Sequence, residues 1–204
     1  TTPSFIVETI ASGTATERMR IDQNGDVGIN ENSPDTLLHL TDTTANDGPV
    51  IRLEGSGNNA ANNLIGGVEW KNSDGSGDGP TVTGAIRHYS SNSSGSGGYT
   101  TFHTHDGTEG GEGSDAVERI RIDKNGNVTI GKTSGNVALA GFLAAPNDFM
   151  AYTHTSTSSG DRCLLLNRQS SDGMLIEFRQ ENSNEGSISV SGTTVSYNGG
   201  HLSR

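Results

Sequence analysis

Large apolar residues are scarce in this chain. Leu, Ile, Val and Phe make up just under a fifth of its 204 residues, and it contains 29 glycines. Ordering the backbone of one residue costs roughly 1 to 2 kcal/mol, which buried apolar surface must offset, so a chain this poor in apolar residues cannot readily bury a thick core alone. The apolar residues fall in short alternating runs bounded by Gly, Asn, Asp and Ser. This pattern predicts β-strands joined by turns, with other copies of the chain supplying the missing apolar surface.

Basic residues, cysteines and long apolar runs are also scarce. The chain has 13 Lys and Arg residues and 24 Asp and Glu residues, and its net charge of -11 argues against a nucleic-acid partner and disfavours an anionic membrane surface. No run approaches the roughly 18 apolar residues of a membrane-spanning helix, so we expect no membrane insertion. Cys163, the only cysteine, lies in the run CLLL, which predicts a buried thiol and no disulfide within one chain.

One phrase occurs twice along the chain. Residues 17–29 read ERMRIDQNGDVGI, and residues 118–130 read ERIRIDKNGNVTI. A two-residue Asn-Gly turn would place the apolar residues of each copy on opposite faces, whereas a three-residue loop ending at Gly25 or Gly126 places them on one face. We therefore predict a bulged hairpin in each copy. The predicted pairs are Ile21 with Val27, Met19 with Ile29, Ile122 with Val128, and Ile120 with Ile130.

The same phrase also contains a possible cation-binding pattern. Asp22-x-Asn24-x-Asp26 supplies oxygen atoms at alternate positions, as a calcium loop does, but no distal bidentate Glu follows and both flanks are predicted strands. A structural hairpin is therefore the favoured interpretation. A cation bound by Asp22 and Asp26 stays open as the alternative, because it would relieve the repulsion between two facing carboxylates.

Strand-like runs lie between and after the two copies of the phrase. Those between them are PVIRLEG (49–55), LIGGVEWKN (64–72), TVTGAIRHYS (81–90) and YTTFHTHDG (99–107), and those from residue 161 onward are DRCLLLNRQ, MLIEFRQEN, GSISVSG and TTVSYNG. The later group repeats the order of the earlier one, which predicts two related modules in tandem. The expected organisation is an N-terminal hairpin module (1–48), a central β module (49–131), a connector (132–160) and a C-terminal β module (161–204).

Two stretches of the chain resemble bacteriophage tail fibres and tailspikes. ERMRIDQNGDVGINENSPDTLLHL, with its R-I-D-x-N-G-x-V-x-I core followed by S-P and L-H-L, is similar to a module that recurs in those fibres. NRQSSDGMLIEFRQENSNEGSISVSGTTVSYN resembles the segment that precedes an endosialidase-type intramolecular chaperone, although the chain then reads GGHLSR where many relatives have Ser-Asp-x-Arg-Leu-Lys. Together the two stretches cover about half the chain.

The resemblance implies both a fold and a role. The implied fold is all-β: an elongated, intertwined homotrimer of short antiparallel strands and hairpins, of the β-prism or triple-β-helix kind, with little or no helix. The implied role is host attachment on the extracellular virion, with a host cell-surface glycan or protein and other tail proteins as partners. Whether a self-cleaving chaperone followed residue 204 stays open.

Three aromatic residues are candidate receptor contacts. Trp70 lies in GVEWKN, and Tyr89 and Tyr99 flank the polar loop SSNSSGSGG. Aromatic rings beside polar loops commonly stack on sugar rings. For Trp70, packing between subunits is the favoured alternative, because the chain has so little other bulk for a core.

His103 and His105 form the one histidine pair with metal-ligand spacing. They lie two residues apart in TFHTHDG, so a strand would project both on one face, and three copies would bring six imidazoles to an axis. The alternative, which we favour, is a pair of surface histidines. We expect no metal and no cofactor.

No catalytic motif is present in the sequence. G-x-S-x-G, H-E-x-x-H and the P-loop pattern are all missing, and the carboxylates fall mostly in turns. We therefore expect a non-enzymatic structural and host-attachment protein with no catalytic residues. Two alternatives remain open: a polysaccharide-degrading tailspike fragment, and a subunit of a bacterial trimeric adhesin or extracellular filament.

Overall fold

The computed structural model describes residues 4–43, 48–55, 60–74, 81–93, 97–105, 116–146, 149–156 and 162–199. The described part of the chain is all-β, with fourteen strands and no helix. No segment of it is therefore a helix long and apolar enough to span a membrane. The chain divides into two compact units, Thr1–Glu54 and Gly55–Arg204.

The first unit contains a four-stranded sheet in the order β1-β2-β3-β4. Its strands are β1 (Phe5–Ala11), β2 (Thr14–Ile21), β3 (Val27–Ile29) and β4 (Leu38–Leu40). The first two pairings are antiparallel, whereas β4 lies parallel to β3. The connection from β3 to β4 folds closely over Gly28, where a Cβ atom would collide with the backbone of Glu31. Glycine at this position is therefore required by the approach of the connecting loop.

The second unit contains a seven-stranded and a three-stranded sheet, in the orders β11-β10-β9-β8-β7-β6-β5 and β12-β13-β14. The larger sheet contains β5 (Leu64–Asn72), β6 (Thr81–Ser90), β7 (Gly98–Thr104), β8 (Val117–Ile122), β9 (Val128–Ile130), β10 (Gly141–Ala144) and β11 (Met150–Thr153). The smaller contains β12 (Gly173–Gln180), β13 (Ser183–Ser191) and β14 (Thr194–Gly199). Every pairing in both sheets is antiparallel. Two strands of the larger sheet, β10 and β11, come from the segment expected as a connector.

The two copies of the repeated phrase form the predicted bulged hairpins. Ile21 pairs with Val27 in the first copy, and Ile122 pairs with Val128 in the second. The turn glycines, Gly25 and Gly126, have φ values of 89° and 82°. In each turn the glycine N–H donates to the carbonyl oxygen three residues earlier, at 3.1 and 2.9 Å. The left-handed conformation costs glycine little, which explains why glycine ends both loops.

Two predicted strands are not strands in the structure. Residues 49–55 and the described part of 161–169 pair with no strand of either unit. Their sequences alternate as strands do, but a strand also needs a hydrogen-bonding partner, and none is provided in the described part of the chain. Cys163, expected to be buried, is exposed for the same reason.

Candidate functional site

One face of the seven-stranded sheet carries an unbroken row of apolar side chains. The residues lie side by side from strand to strand, because each pairs directly with the next across the hydrogen-bonded ladder. From β5 to β11 they are Val68, Ile86, Phe102, Ile120, Ile130, Phe142 and Tyr152. We call this set the apolar row.

The apolar row is largely open to solvent in the single chain. Five of its seven members are between 37% and 54% exposed, and the neighbouring Trp70, Ile122 and Met150 are exposed as well. Large side chains have on the order of 150–250 Å² of surface each, so these eight exposed residues, each roughly half exposed, leave on the order of 800 Å² uncovered. That exceeds the roughly 300–600 Å² patch typical of a monomer and matches the roughly 800 Å² that each partner buries in a stable interface.

The opposite face of the same sheet is mostly polar and largely buried, and most of its described polar side chains are hydrogen-bonded, the Thr129 hydroxyl being an exception. The row behind the apolar one contains Arg87, Thr101, Arg121 and Thr129, again paired from strand to strand. Arg87 bonds the Glu69 carboxylate at 2.7 Å. Thr101 is fully buried. Burial alone would lower the pKa of Arg87, but its hydrogen bonds to Glu69 and Tyr89 outweigh that cost and raise the pKa. The sheet therefore has one largely buried polar face and one exposed apolar face.

Arg121 is the centre of the polar face. Its guanidinium forms two hydrogen bonds with the Glu118 carboxylate, at 2.8 and 2.7 Å, and lies 4.1 Å from the centre of the Tyr99 ring. The Tyr99 ring in turn stacks on Tyr89, with 5.2 Å between ring centres. Burial raises the pKa of Tyr99, and the charge of Arg121 opposes that rise without cancelling it. No sequence motif indicates this cluster, because its formation depends on which strands become neighbours.

The three candidate receptor contacts lie on different faces of the sheet. Trp70 is 54% exposed and shares a face with the apolar row, beside Val68 and Gly84. Tyr89 and Tyr99 lie on the polar face as a stacked pair. Tyr99 is only 9% exposed, and its hydroxyl donates to Asn62 Oδ1 at 2.9 Å. The structure therefore does not bring the three residues together into one site.

The histidine pair has protein partners in this arrangement. The Nδ1 atom of His103 lies 2.8 Å from the Ala116 carbonyl oxygen, and its Nε2 lies 2.8 Å from Thr101 Oγ1. The carbonyl can only accept, so Nδ1 carries the proton there. His105 donates its backbone N–H to Thr83. With both ring nitrogens hydrogen-bonded, His103 would have to break one of these bonds to bind a metal.

The aspartates of the repeated hairpins are held by the turn itself. Asp22 Oδ1 accepts the backbone N–H groups of Asn24 and Asp26, at 2.8 and 3.0 Å. The second copy repeats both bonds with the same lengths, from Asn125 and Asn127 to Asp123. These backbone N–H groups stabilise the negative charge of Asp22, which was the reason for considering a bound cation. Among the described residues, no group of three or more His, Cys, Asp or Glu side chains is arranged to hold a metal.

No protein-family model matches the chain, and no curated protein matches it either. The similarity to phage fibres therefore rests on the quoted residues alone. The exposed apolar row is the feature of the described chain that most clearly indicates a binding partner.

Proposed function

We propose that this chain is a structural, non-enzymatic segment of a phage tail fibre that assembles as a homotrimer and contributes to host attachment. The observation that carries the proposal is the apolar row, which leaves an interface-sized surface open on a sheet whose other face is largely buried. Three such sheets facing a common axis would cover one another. The choice of a trimer follows from the resemblance of the repeated phrase to modules of tail fibres, which implies a homotrimer.

The other two sheets support the proposal because each has the same construction. In the four-stranded sheet, two apolar rows cross all four strands. They are Phe5, Ile21, Val27 and Leu38, and Val7, Met19, Ile29 and Leu40. In the three-stranded sheet, the row is Ile176, Ile188 and Tyr197. Apolar rows therefore recur in all three sheets of the described chain, and the row of the seven-stranded sheet crosses the most strands.

Host attachment is the second part of the proposal. Acidic charge and polar loops suit a protein exposed outside the cell, and a host glycan or protein is the partner that the fibre resemblance implies. Tyr89, with Tyr99 stacked against it, is the candidate contact that lies on the face opposite the apolar row. Trp70 shares the face that the trimer would cover, so it is a candidate contact only if assembly leaves it exposed.

Light scattering and a glycan-release assay together test the proposal. We expect a particle with three times the 21.2 kDa mass of the chain, and no oligosaccharide released when the protein is incubated with bacterial capsule or lipopolysaccharide. A stable monomer would contradict the assembly. Released oligosaccharide would instead favour a polysaccharide-degrading tailspike.

A further inference from the structure

An apolar segment before the three-stranded sheet has the composition of a buried strand but no partner. We call residues Cys163–Asn167, with the sequence CLLLN, the leucine segment. Leu164, Leu165 and Leu166 are 68%, 70% and 41% exposed. Consecutive leucines place apolar groups on both sides of an extended chain, as in a strand covered on both faces. The leucine segment therefore needs both a strand partner and cover.

The strand that follows the leucine segment has an open edge. In the order β12-β13-β14, β12 pairs only with β13. Four residues or so are enough to close a hairpin, and the chain between the leucine segment and β12 is that long. It forms a different local structure instead, in which Arg168 Nε donates to the Ser171 carbonyl oxygen at 3.2 Å and the guanidinium packs against Gly173. The leucine segment, which could add a strand, and the open edge of β12, which could receive one, are therefore neighbours in sequence. In the described chain they do not pair with each other.

The same arrangement occurs a second time. Residues 49–55 are an exposed apolar run outside every strand of the described chain, with Val50, Ile51 and Leu53 all exposed. The next strand, β5, is also an edge strand of its sheet. The described chain therefore contains a second exposed apolar run that is followed in sequence by an edge strand.

We propose that the leucine segment of one copy pairs as an added strand with the open edge of β12 in a neighbouring copy. The proposal rests on the self-association proposed above. Each copy has one leucine segment and one β12 edge, so an exchange around a ring leaves neither unpaired. The exchange would also protect an edge that is otherwise a site for aggregation.

Disulfide crosslinking through Cys163 can detect the proposed strand pairing, because Cys163 is the only cysteine and is exposed in the single chain. Facing residues on paired strands have Cα atoms about 4.5 to 5.5 Å apart, within the range that a disulfide spans. One copy keeps the native sequence. The second copy carries Cys163→Ser and a new cysteine on β12, at Met174, Ile176 or Phe178 in turn. A matched control places the new cysteine on the opposite edge strand, as Ser196→Cys. The two copies carry tags of different length, are co-expressed, and are oxidised with oxidised glutathione.

Non-reducing electrophoresis then gives the result. We expect a mixed dimer of the two tagged copies for at least one β12 position, at several times the yield of the Ser196→Cys control. An oligomer that yields no mixed dimer at any β12 position, or yields it only in the control, overturns the strand exchange and leaves the proposed function standing. A particle that remains monomeric overturns both.

Discussion

Glu118 and Arg121 form a two-point ion pair although they lie three residues apart on one strand. In a regular strand, residues three apart point to opposite faces. The two side chains share a face because β8 has a bulge at Arg119. Phe102 on β7 faces Ile120, but the next β7 residue, His103, faces Glu118, so Arg119 has no facing residue. Glu17 and Arg20 repeat the ion pair with both bonds at 2.8 Å, beside a bulge at Arg18. The repeated phrase therefore encodes a bulge and an ion pair as well as a turn.

Removing the Glu118 carboxylate will destabilise the seven-stranded sheet. Glu118→Gln leaves the partly buried Arg121 without its counter-charge, so we expect a loss of about 1 kcal/mol in the free energy of unfolding, measured by urea denaturation. The matched control is Glu17→Gln, which removes the same pair where solvent screens it more fully, and its effect should be smaller. Equal effects of the two variants would contradict the role assigned to Arg121.

The need for glycine in the hairpin turns can be tested by comparing a turn glycine with a glycine outside the turns. Gly126→Ala puts a Cβ at a φ of 82° and near Pro146, so we expect a loss of about 1–2 kcal/mol in unfolding free energy. Gly135→Ala is the control, because its φ is not in the left-handed region and its Cβ would meet only Asn127, at 4.0 Å. Thermal unfolding of both variants checks this. A fall in melting temperature that is the same for both would count against the hairpin geometry.

The three-stranded sheet should lose stability in acid through Asp172. The backbone N–H of Gly192 and the Ser191 hydroxyl, each 3.0 Å from a carboxylate oxygen, hold the pKa of Asp172 below its usual 3.8. A lowered folded-state pKa means that this contribution is complete above pH 4 or so and is lost as the pH falls through the folded pKa.

Asp172→Asn removes that titration, so the slope of unfolding free energy against pH should flatten between about pH 4 and pH 2. Glu185→Gln on the neighbouring strand is the control for simple loss of a carboxyl group. Identical pH profiles for the native chain and Asp172→Asn would show that Asp172 does not clamp the β13–β14 turn.

Trp70 reports on the apolar face because it is the only tryptophan. Its side chain is half exposed in the single chain, so assembly through the apolar row should shield it from acrylamide quenching. We expect weaker quenching in the native protein than in an assembly-defective variant. Quenching as strong as that of free tryptophan in the assembled particle would instead leave Trp70 available as a receptor contact.

The sequence predicted the local structure better than the partnerships between strands. The pairing of Ile21 with Val27 followed from alternation and turn chemistry, both of which act within a few residues. The bulges at Arg18 and Arg119 did not follow, because a bulge depends on the partner strand as well as on its own residues.

The candidate site shows the same limit. Tyr99 reads as an exposed aromatic beside a polar loop, yet the order of the strands places it between Tyr89 and Arg121, where it is buried. The apolar row could not be read from the sequence either, since its seven members become neighbours only after six strand registers are fixed. Residues 49–55 and the leucine segment have strand-like sequences, and sequence alone does not say which chain pairs with them.

The central claim is that the apolar row joins the copies. It is tested most directly by comparing the light-scattering mass of the native chain with that of a variant in the apolar row. Phe102→Asp places a charge in the middle of the apolar row, and Asn125→Asp adds the same charge at the hairpin tip as the control. Far-ultraviolet circular dichroism checks that each variant keeps its strands, and Tyr152→Asp on the edge strand β11 replaces Phe102→Asp if that variant unfolds. We predict a trimer for the native chain and for Asn125→Asp, and a particle of 21.2 kDa for the row variant. A native chain that is itself 21.2 kDa, or a folded row variant that still forms trimers, would contradict the claim that this face joins the copies.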